Sequence, residues 1–520
     1  MRYCVLIIVA IQFVGCLAQA PSGQPPADHG KPADLAEAPI PAELAAASNA
    51  NGHFAIDLYR RLAETESGNS IFLSPFSIST VLTMAAEGAV DQTLDQMLDV
   101  LHVPKGGLEQ IHSGQRGLQI AVVPSVPPEL TEKITALRAQ LKQSNDRTDA
   151  LNQAERFKEA RASSVVGKKM AQEINELVSR ISAYELRIAN ALWLEKSYPI
   201  EPNFIAAVEP NYGMLVFPVE FKERPEPVRL HINEWVAQQT NDRVQDLLSP
   251  GSITDQTKMV ITNTVYFKGD WAEPFKASRT HLEPFRQADE RLVDTLMMHQ
   301  WNSWTASYGA FTGTGELFPT PLEVRIDIKD DNPSLYPDAQ GHTMLSLDYQ
   351  GHKIQMILLV PQSATGISDL EKSLSYEALE RWIDQLEHRT VNISIPKFKL
   401  ESTYHLKKPL QSLGMVRCFE NPQGNPEGAQ FDKLCSTQRS EDRLSISEVV
   451  HQTYVDVSEV GTEAAAATAF VEITDGFMGP APKTRPFVPI FKANRPFIFL
   501  IRDRETASIL FLGRYVSAKP

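Results

Sequence analysis

The spacing of apolar residues changes several times along this chain, and each change marks an element. Phe54, Ile56, Leu58 and Leu62 open an amphipathic helix. The run from Ile71 to Ala89, IFLSPFSISTVLTMAAEGA, predicts a short strand followed by a buried helix beginning near Ser74-Pro75. Serine suits the cap position there, and proline is tolerated in a first turn because that N–H has no helical partner. Leu130, Ile134, Leu137 and Leu141 fall at 4-3-4 spacing, and Met170, Ile174, Leu177 and Ile181 repeat it. Polar residues fill the gaps, so block 118–183 predicts a helical hairpin inserted into a larger domain. Beyond it come strand-like runs, including LRIANALWL (186–194), MVITNTVYF (259–267), TMLSLDY (343–349), KIQMILLVP (353–361) and TVNISIPKF (390–398). PFIFLIRD (496–503) and SILFLGRYV (508–516) complete the set. Helical patterns such as HINEWVAQQTNDRVQDLL (231–248) and LSYEALERWIDQLE (374–387) are interleaved. Irregular strand spacing with helices between, and no repeat, predicts an α+β fold with large mixed sheets. Segment 310–340, rich in Gly, Pro and Asp, reads as a second, loop-like insertion.

The first fifty residues carry no such periodicity. Residues 1–20 hold one charge, Arg2, then an apolar run to Leu17 and the small-x-small ending Ala18-Gln19-Ala20, which predicts a signal peptide and a secreted protein. Lipid attachment at Cys16 is the alternative, and would leave the protein extracytoplasmic but tethered. Residues 21–50, rich in Pro and Ala, read as a flexible leader. With 42% hydrophobic residues among 520, the chain can bury a large core, and no later stretch is long and apolar enough for a membrane span. A net charge of −14 argues against a nucleic-acid partner. Cys4 and Cys16 lie within the signal, leaving Cys418 and Cys435, which either pair in an oxidising compartment or stay two thiols.

Enzyme signatures are missing. The chain has no G-x-S-x-G elbow, no H-E-x-x-H, no phosphate loop and no Cys pair at metal spacing. Its twelve histidines are scattered, without close pairs on one helix face, although a site assembled in space remains open. No cofactor or metal is expected from these patterns.

The informative stretch is residues 455–503. Gly461-Thr462-Glu463 leads into Ala464, Ala465, Ala466, Ala467, Thr468 and Ala469. An alanine run ordinarily means helix. This one follows β-patterned residues and precedes a proline-rich segment, so a mobile loop of small side chains is equally consistent. Such side chains can enter a narrow opening between strands at little steric or rotamer cost.

At this point the sequence resembles the serpin family. NSIFLSPFSIS (69–79), LRIANALWL, INEWV (232–236), DRVQDLL (242–248) and NTVYFKGDW (263–271) match family segments in order. VDTLMMHQ (293–300), SIPKFKL (394–400), EVGTEAAAATA (459–469) and NRPFIFLIRD (494–503) continue the series, so that the similarity spans residues 51–518 apart from the two insertions. The resemblance implies a single domain with three β-sheets, eight or nine helices and an exposed reactive loop. It implies a monomer that is not an enzyme but a suicide inhibitor: a serine or cysteine protease attacks the loop, and the acylated loop then inserts into the main sheet. The hinge would comprise Glu459, Gly461, Thr462, Glu463, Ala464, Ala465, Ala466, Ala467 and Thr468. A buried shutter under the sheet would comprise Ser74, Pro75, Ser77, Asn263 and His451. Counting forward from the hinge at the family spacing places the reactive bond at Asp475-Gly476; counting backward from Asn494 places it near Arg485-Pro486. The forward count is preferred, since the inserted strand has a length fixed by the sheet. The rival function is a non-inhibitory relative acting as carrier or chaperone.

Overall fold

The computed structural model describes residues 41–122, 184–460 and 483–517, apart from short gaps at 213–214, 241–243, 245, 304–305, 424, 426 and 437–442, together with scattered residues between 123 and 183. The signal peptide, most of the leader, hinge residues 461–468 and the bond Asp475-Gly476 lie outside the described residues.

Three large sheets carry the architecture. The first has five strands, β2 (Tyr184–Glu195), β3 (Leu215–Val219), β4 (Met259–Gly269), β13 (Phe398–His405) and β14 (Glu448–Val457), in the order β13-β14-β4-β2-β3. The second has seven strands in the order β1-β18-β17-β10-β9-β7-β11. These are β1 (Ile71–Leu73), β7 (Ser307–Phe311), β9 (His342–Asp348), β10 (Ile354–Pro361), β11 (Glu387–His388), β17 (Phe497–Asp503) and β18 (Ile509–Tyr515). The third has four strands, β5 (His281–Arg286), β6 (Leu292–Ser303), β12 (Val391–Pro396) and β16 (Ile490–Lys492), in the order β16-β12-β6-β5. A two-stranded ladder joins β8 (Glu323–Arg325) to β15 (Thr484–Pro486).

Nine α-helices surround these sheets among the described residues: α1 (Ala42–Thr65), α2 (Pro75–Glu87), α3 (Asp91–Val100), α4 (Leu108–Val122), α5 (Pro202–Tyr212), α6 (Pro225–Gln239), α7 (Ile367–Ser373), α8 (Tyr376–Asp384) and α9 (Lys407–Leu413). Every residue of α2 from Pro75 to Ala86 is buried, because the helix passes beneath the five-stranded sheet and against β18. Ser74 caps it, its Oγ accepting from the Ser77 N–H, and Pro75 fills the first helical position.

Strand apolarity follows from where each face is buried. In β2, Leu192 and Leu194 enter the main core while Ala191 and Trp193 enter a second cluster under α6, which contributes Val228, Ile232 and Val236. Successive side chains of a strand alternate faces, so a strand covered on both sides reads as a continuous apolar run. β10, β17 and β18 are buried throughout for the same reason.

Several boundaries differ from expectation. Residues 42–50, assigned above to the leader, belong to α1, and Ala47, Ser48 and Ala50 are buried. Alanine-rich sequence is compatible with coil or helix, and packing against α4 decides for helix here. Leu118 and Val122, assigned to the first insertion, are core residues of α4. Within that insertion Lys133, Leu137, Leu141, Met170, Glu173 and Leu177 are helical, and Lys133 Nζ lies 3.0 Å from Glu173 Oε1. The helix expected over 231–248 starts earlier, at Pro225, and stops at Gln239.

Candidate functional site

The five-stranded sheet has a parallel junction at its centre. β14 pairs with β4 in parallel from Glu448↔Val260 to Tyr454↔Tyr266. β13 is antiparallel to β14, and β2 is antiparallel to β4. Above Tyr454 the last residues of β14, Val455 to Val457, pair only with β13. The junction therefore parts at the end where the chain leaves β14. A strand returning from that end runs antiparallel to both neighbours, replacing one parallel ladder with two antiparallel ones, which are slightly more stable per residue.

The root of the loop is held firmly. Trp271 Nε1–H donates to Ser458 O at 2.9 Å, the Trp271 N–H to Val460 O at 2.9 Å and the Phe275 N–H to Glu459 O at 2.7 Å. Glu459, the one described residue of the expected hinge, pairs with Lys397 at 2.9 Å. Burial is the largest single influence and pushes its carboxyl up, but the bond and charge of Lys397 together with further hydrogen bonds to the carboxylate hold it below the usual glutamate value. Trp271 in turn stacks on Tyr349 with ring centroids 4.6 Å apart.

Below the junction the expected shutter residues meet. The Ser74 N–H donates to His451 Nε2 at 3.0 Å, which leaves the ring proton on Nδ1 to reach Asn263 Oδ1. Asn263 Nδ2 donates to Ser77 Oγ and to Asn190 Oδ1, and Ser77 Oγ also reaches Asn190 Oδ1 at 3.1 Å. Ser74 Oγ donates to Leu510 O at 2.7 Å. The network thus ties α2 to three adjacent strands, β14, β4 and β2, and to β18. Desolvation pushes His451 down to about 3, so it is neutral and its Nε2 remains an acceptor. Asn190 and Thr453, whose Oγ1 donates to Phe72 O at 2.7 Å, were missed from sequence. Asn190 had a signal: it is an amide inside the otherwise apolar NALWL.

Segment 310–340 and the chain after residue 482 meet each other. Thr484, Arg485 and Pro486 pair with Arg325, Val324 and Glu323. The Ile326 N–H donates to Lys483 O at 3.2 Å and the Phe487 N–H to Leu322 O at 2.9 Å. Arg485 places one guanidinium nitrogen 2.8 Å from Asp330 Oδ1 and donates from the other to Ile328 O at 2.7 Å. Segment 310–340 is therefore a clasp as much as a loop. The chain is anchored at 458–460 and again at 483–487, with residues 461–482 between the anchors, and Arg485-Pro486 lies inside the second one.

Cys418 and Cys435 are both buried and unpaired in the structure. Burial raises the thiol of each, that of Cys435 to about 11, so neither is a thiolate at neutral pH. Among the described residues, no helix is long and apolar enough to cross a membrane.

A family model described as "Serpin (serine protease inhibitor)" matches residues 49–518. The leukocyte elastase inhibitor of Xenopus laevis is 30% identical over 474 residues, spanning 90% of this chain and 99% of that protein. Human serpin B4 is 31% identical over 472 residues, with the same coverage. Among solved structures, human thyroxine-binding globulin complexed with thyroxine aligns with a TM-score of 0.64 at 24% identity, covering 92% of this chain and all of that one. The match along nearly the whole domain, on a fold whose central sheet parts where the chain leaves β14, shows that the chain belongs to the serpin family.

Proposed function

We propose that this protein is a secreted suicide inhibitor of an extracytoplasmic serine or cysteine protease, trapping the acyl-enzyme by inserting the cleaved loop between β4 and β14. The observation that carries the reading is the parallel β4–β14 junction, open beside the root of a segment whose alternate residues Thr462, Ala464, Ala466 and Thr468 are all small. Inhibitory relatives support it, since the leukocyte elastase inhibitor aligns over almost its full length. The driving force is added backbone pairing and apolar burial, released from a native state protected by a kinetic barrier. Incubation with the target protease is expected to give an SDS-stable complex. Cleavage without a complex, and without gain of heat resistance, supports instead the carrier reading.

The reactive bond of this proposal is Asp475-Gly476, which points to a protease that cleaves after acidic residues. Insertion antiparallel to β14 needs about 3.3 Å of strand per residue, so the fourteen steps from Gly461 to Asp475 supply roughly 46 Å. The rival bond, Arg485-Pro486, is disfavoured because its backbone is committed to β8 and its guanidinium to Asp330. A protease panel with sequencing of the released C-terminal peptide is expected to give a new N-terminus at Gly476; a start at Pro486 refutes the assignment.

The clasp makes a separate prediction. Asp330→Ala removes the half-buried partner of Arg485 and should loosen the β8–β15 ladder. Such a pair contributes up to about 1 kcal/mol, so trypsin cleavage after Lys483 is expected to speed up about two- to fivefold. An unchanged rate of fragments starting at Thr484 would show that the backbone ladder alone holds the segment.

A further inference from the structure

Scattered through the sequence, His281, Glu283 and His299 converge on one face of the four-stranded sheet. His281 and Glu283 are two residues apart on β5, hence on the same face. His281 lies opposite Met297 on β6, and His299 follows two residues later on that face. Glu283 Oε1 is 3.1 Å from His281 Nε2 and 3.1 Å from His299 Nε2, and all three ligand atoms lie within 4.8 Å of one another. A tetrahedral zinc site with bonds of about 2.0–2.2 Å has ligand–ligand edges of roughly 3.3–3.6 Å. The cluster is therefore within a few tenths of an ångström of that geometry along two edges. The third edge closes by turning His281, whose side chain is 58% exposed and stands over His299 with ring centroids 4.5 Å apart.

The interior of the cluster supplies an independent observation. His299 is only 3% exposed, its Nδ1 has no hydrogen-bond partner, and its Nε2 meets the Glu283 carboxylate at 3.1 Å. Ser394 Oγ, on the neighbouring β12 directly across from His299, is likewise unpartnered. Orphaned buried polar atoms are costly, and an imidazole aimed at a second imidazole and a carboxylate is a ligand set.

We propose that His281, Glu283 and His299 form a binding site for a divalent transition cation of the zinc class, with a fourth position open to water. Two imidazoles and one carboxylate suit zinc over the all-oxygen sets that calcium and magnesium take. The site sits next to the reactive-loop machinery: Lys492, on the strand that follows the loop, reaches across β12 and β6 to Glu283 Oε2 at 2.7 Å. Cation and Lys492 thus compete for the same carboxylate.

Calorimetric titration of the full chain with Zn2+, paired with the visible spectrum of the Co2+ form, tests this. One equivalent is expected to bind with tetrahedral Co2+ bands, and His281→Ala, an exposed change that spares the fold, should weaken binding at least about tenfold. His299→Gln should do the same, and Lys492→Gln should tighten binding by removing the competing charge. Affinity that is undetectable in the wild type, or equal in the wild type and in His281→Ala, overturns the proposal.

Discussion

Thr462→Arg is expected to turn the inhibitor into a substrate. In the proposed trapped state, Thr462 is the first of the alternate residues that enter between β4 and β14, above a junction whose surroundings are apolar. There Val265 and Val455 are fully buried. Burying an unpaired guanidinium in such a place costs several kcal/mol. Each 1.4 kcal/mol is about a factor of ten in rate, so insertion slows by about a hundredfold or more and hydrolysis of the acyl-enzyme overtakes it. The gel should show the clipped chain and its released peptide with no SDS-stable complex, and the protease should recover full activity. Glu463→Arg is the control. Its side chain points to the opposite, solvent face of the inserted strand, so trapping should stay near wild type. Undiminished complex formation by Thr462→Arg would remove insertion from the mechanism.

How much of this was legible in the sequence depends on the range of the interactions that shape each part. Long apolar runs such as MVITNTVYF and PFIFLIRD announce strands because burial on both faces leaves no alternative, and β4 and β17 lie where they read. Ser74-Pro75 announces a helix start because capping is a local matter, and α2 begins there. The clasp was not legible. β8 and β15 are three residues each, too short for any periodicity, and their pairing joins segments about 160 positions apart. Read alone, residues 310–340 show only scattered Gly, Pro and Asp without periodicity, and nothing in them says that Arg485 needs Asp330. The His281–Glu283–His299 cluster was overlooked for a different reason. Histidine pairs were sought at helical spacing, whereas these ligands sit at strand spacing and across a ladder. Asn190 belongs to the legible class in retrospect, since a half-buried amide beside the apolar run ALWL calls for a partner.

His451 sets the second large effect, and its sign follows from its environment. The ring is fully buried, accepts from the Ser74 N–H and donates to Asn263, and desolvation holds its native value near about 3 against 6.5 for a free histidine. A depressed histidine gives stability that is complete above the unfolded value and is lost as pH falls through 6.5 toward 3, because only the unfolded chain takes up the proton in that window. Between pH 7 and pH 5 the wild type should lose about 2 kcal/mol through this one residue, at about 1.4 kcal/mol per pH unit below 6.5. His451→Ala orphans the Ser74 N–H and the Asn263 carbonyl oxygen, each worth about 1–3 kcal/mol when left buried and unpaired. At pH 7 the variant should therefore unfold at clearly lower denaturant and insert its loop, or pass to a latent form, faster than the wild type. At pH 5 much of that gap should close, since the variant has no histidine to charge and the wild type does. Subtracting the variant's pH profile from the wild type's cancels the other titrating groups, among them His342, which burial lowers to about 4, and Asp270, which burial raises to about 6. Denaturant midpoints and latency rates at the two pH values measure both parts. A gap that stays constant from pH 7 to pH 5 would mean that His451 already shares its proton in the native shutter, and the neutral ring would no longer be what fastens β14 to α2.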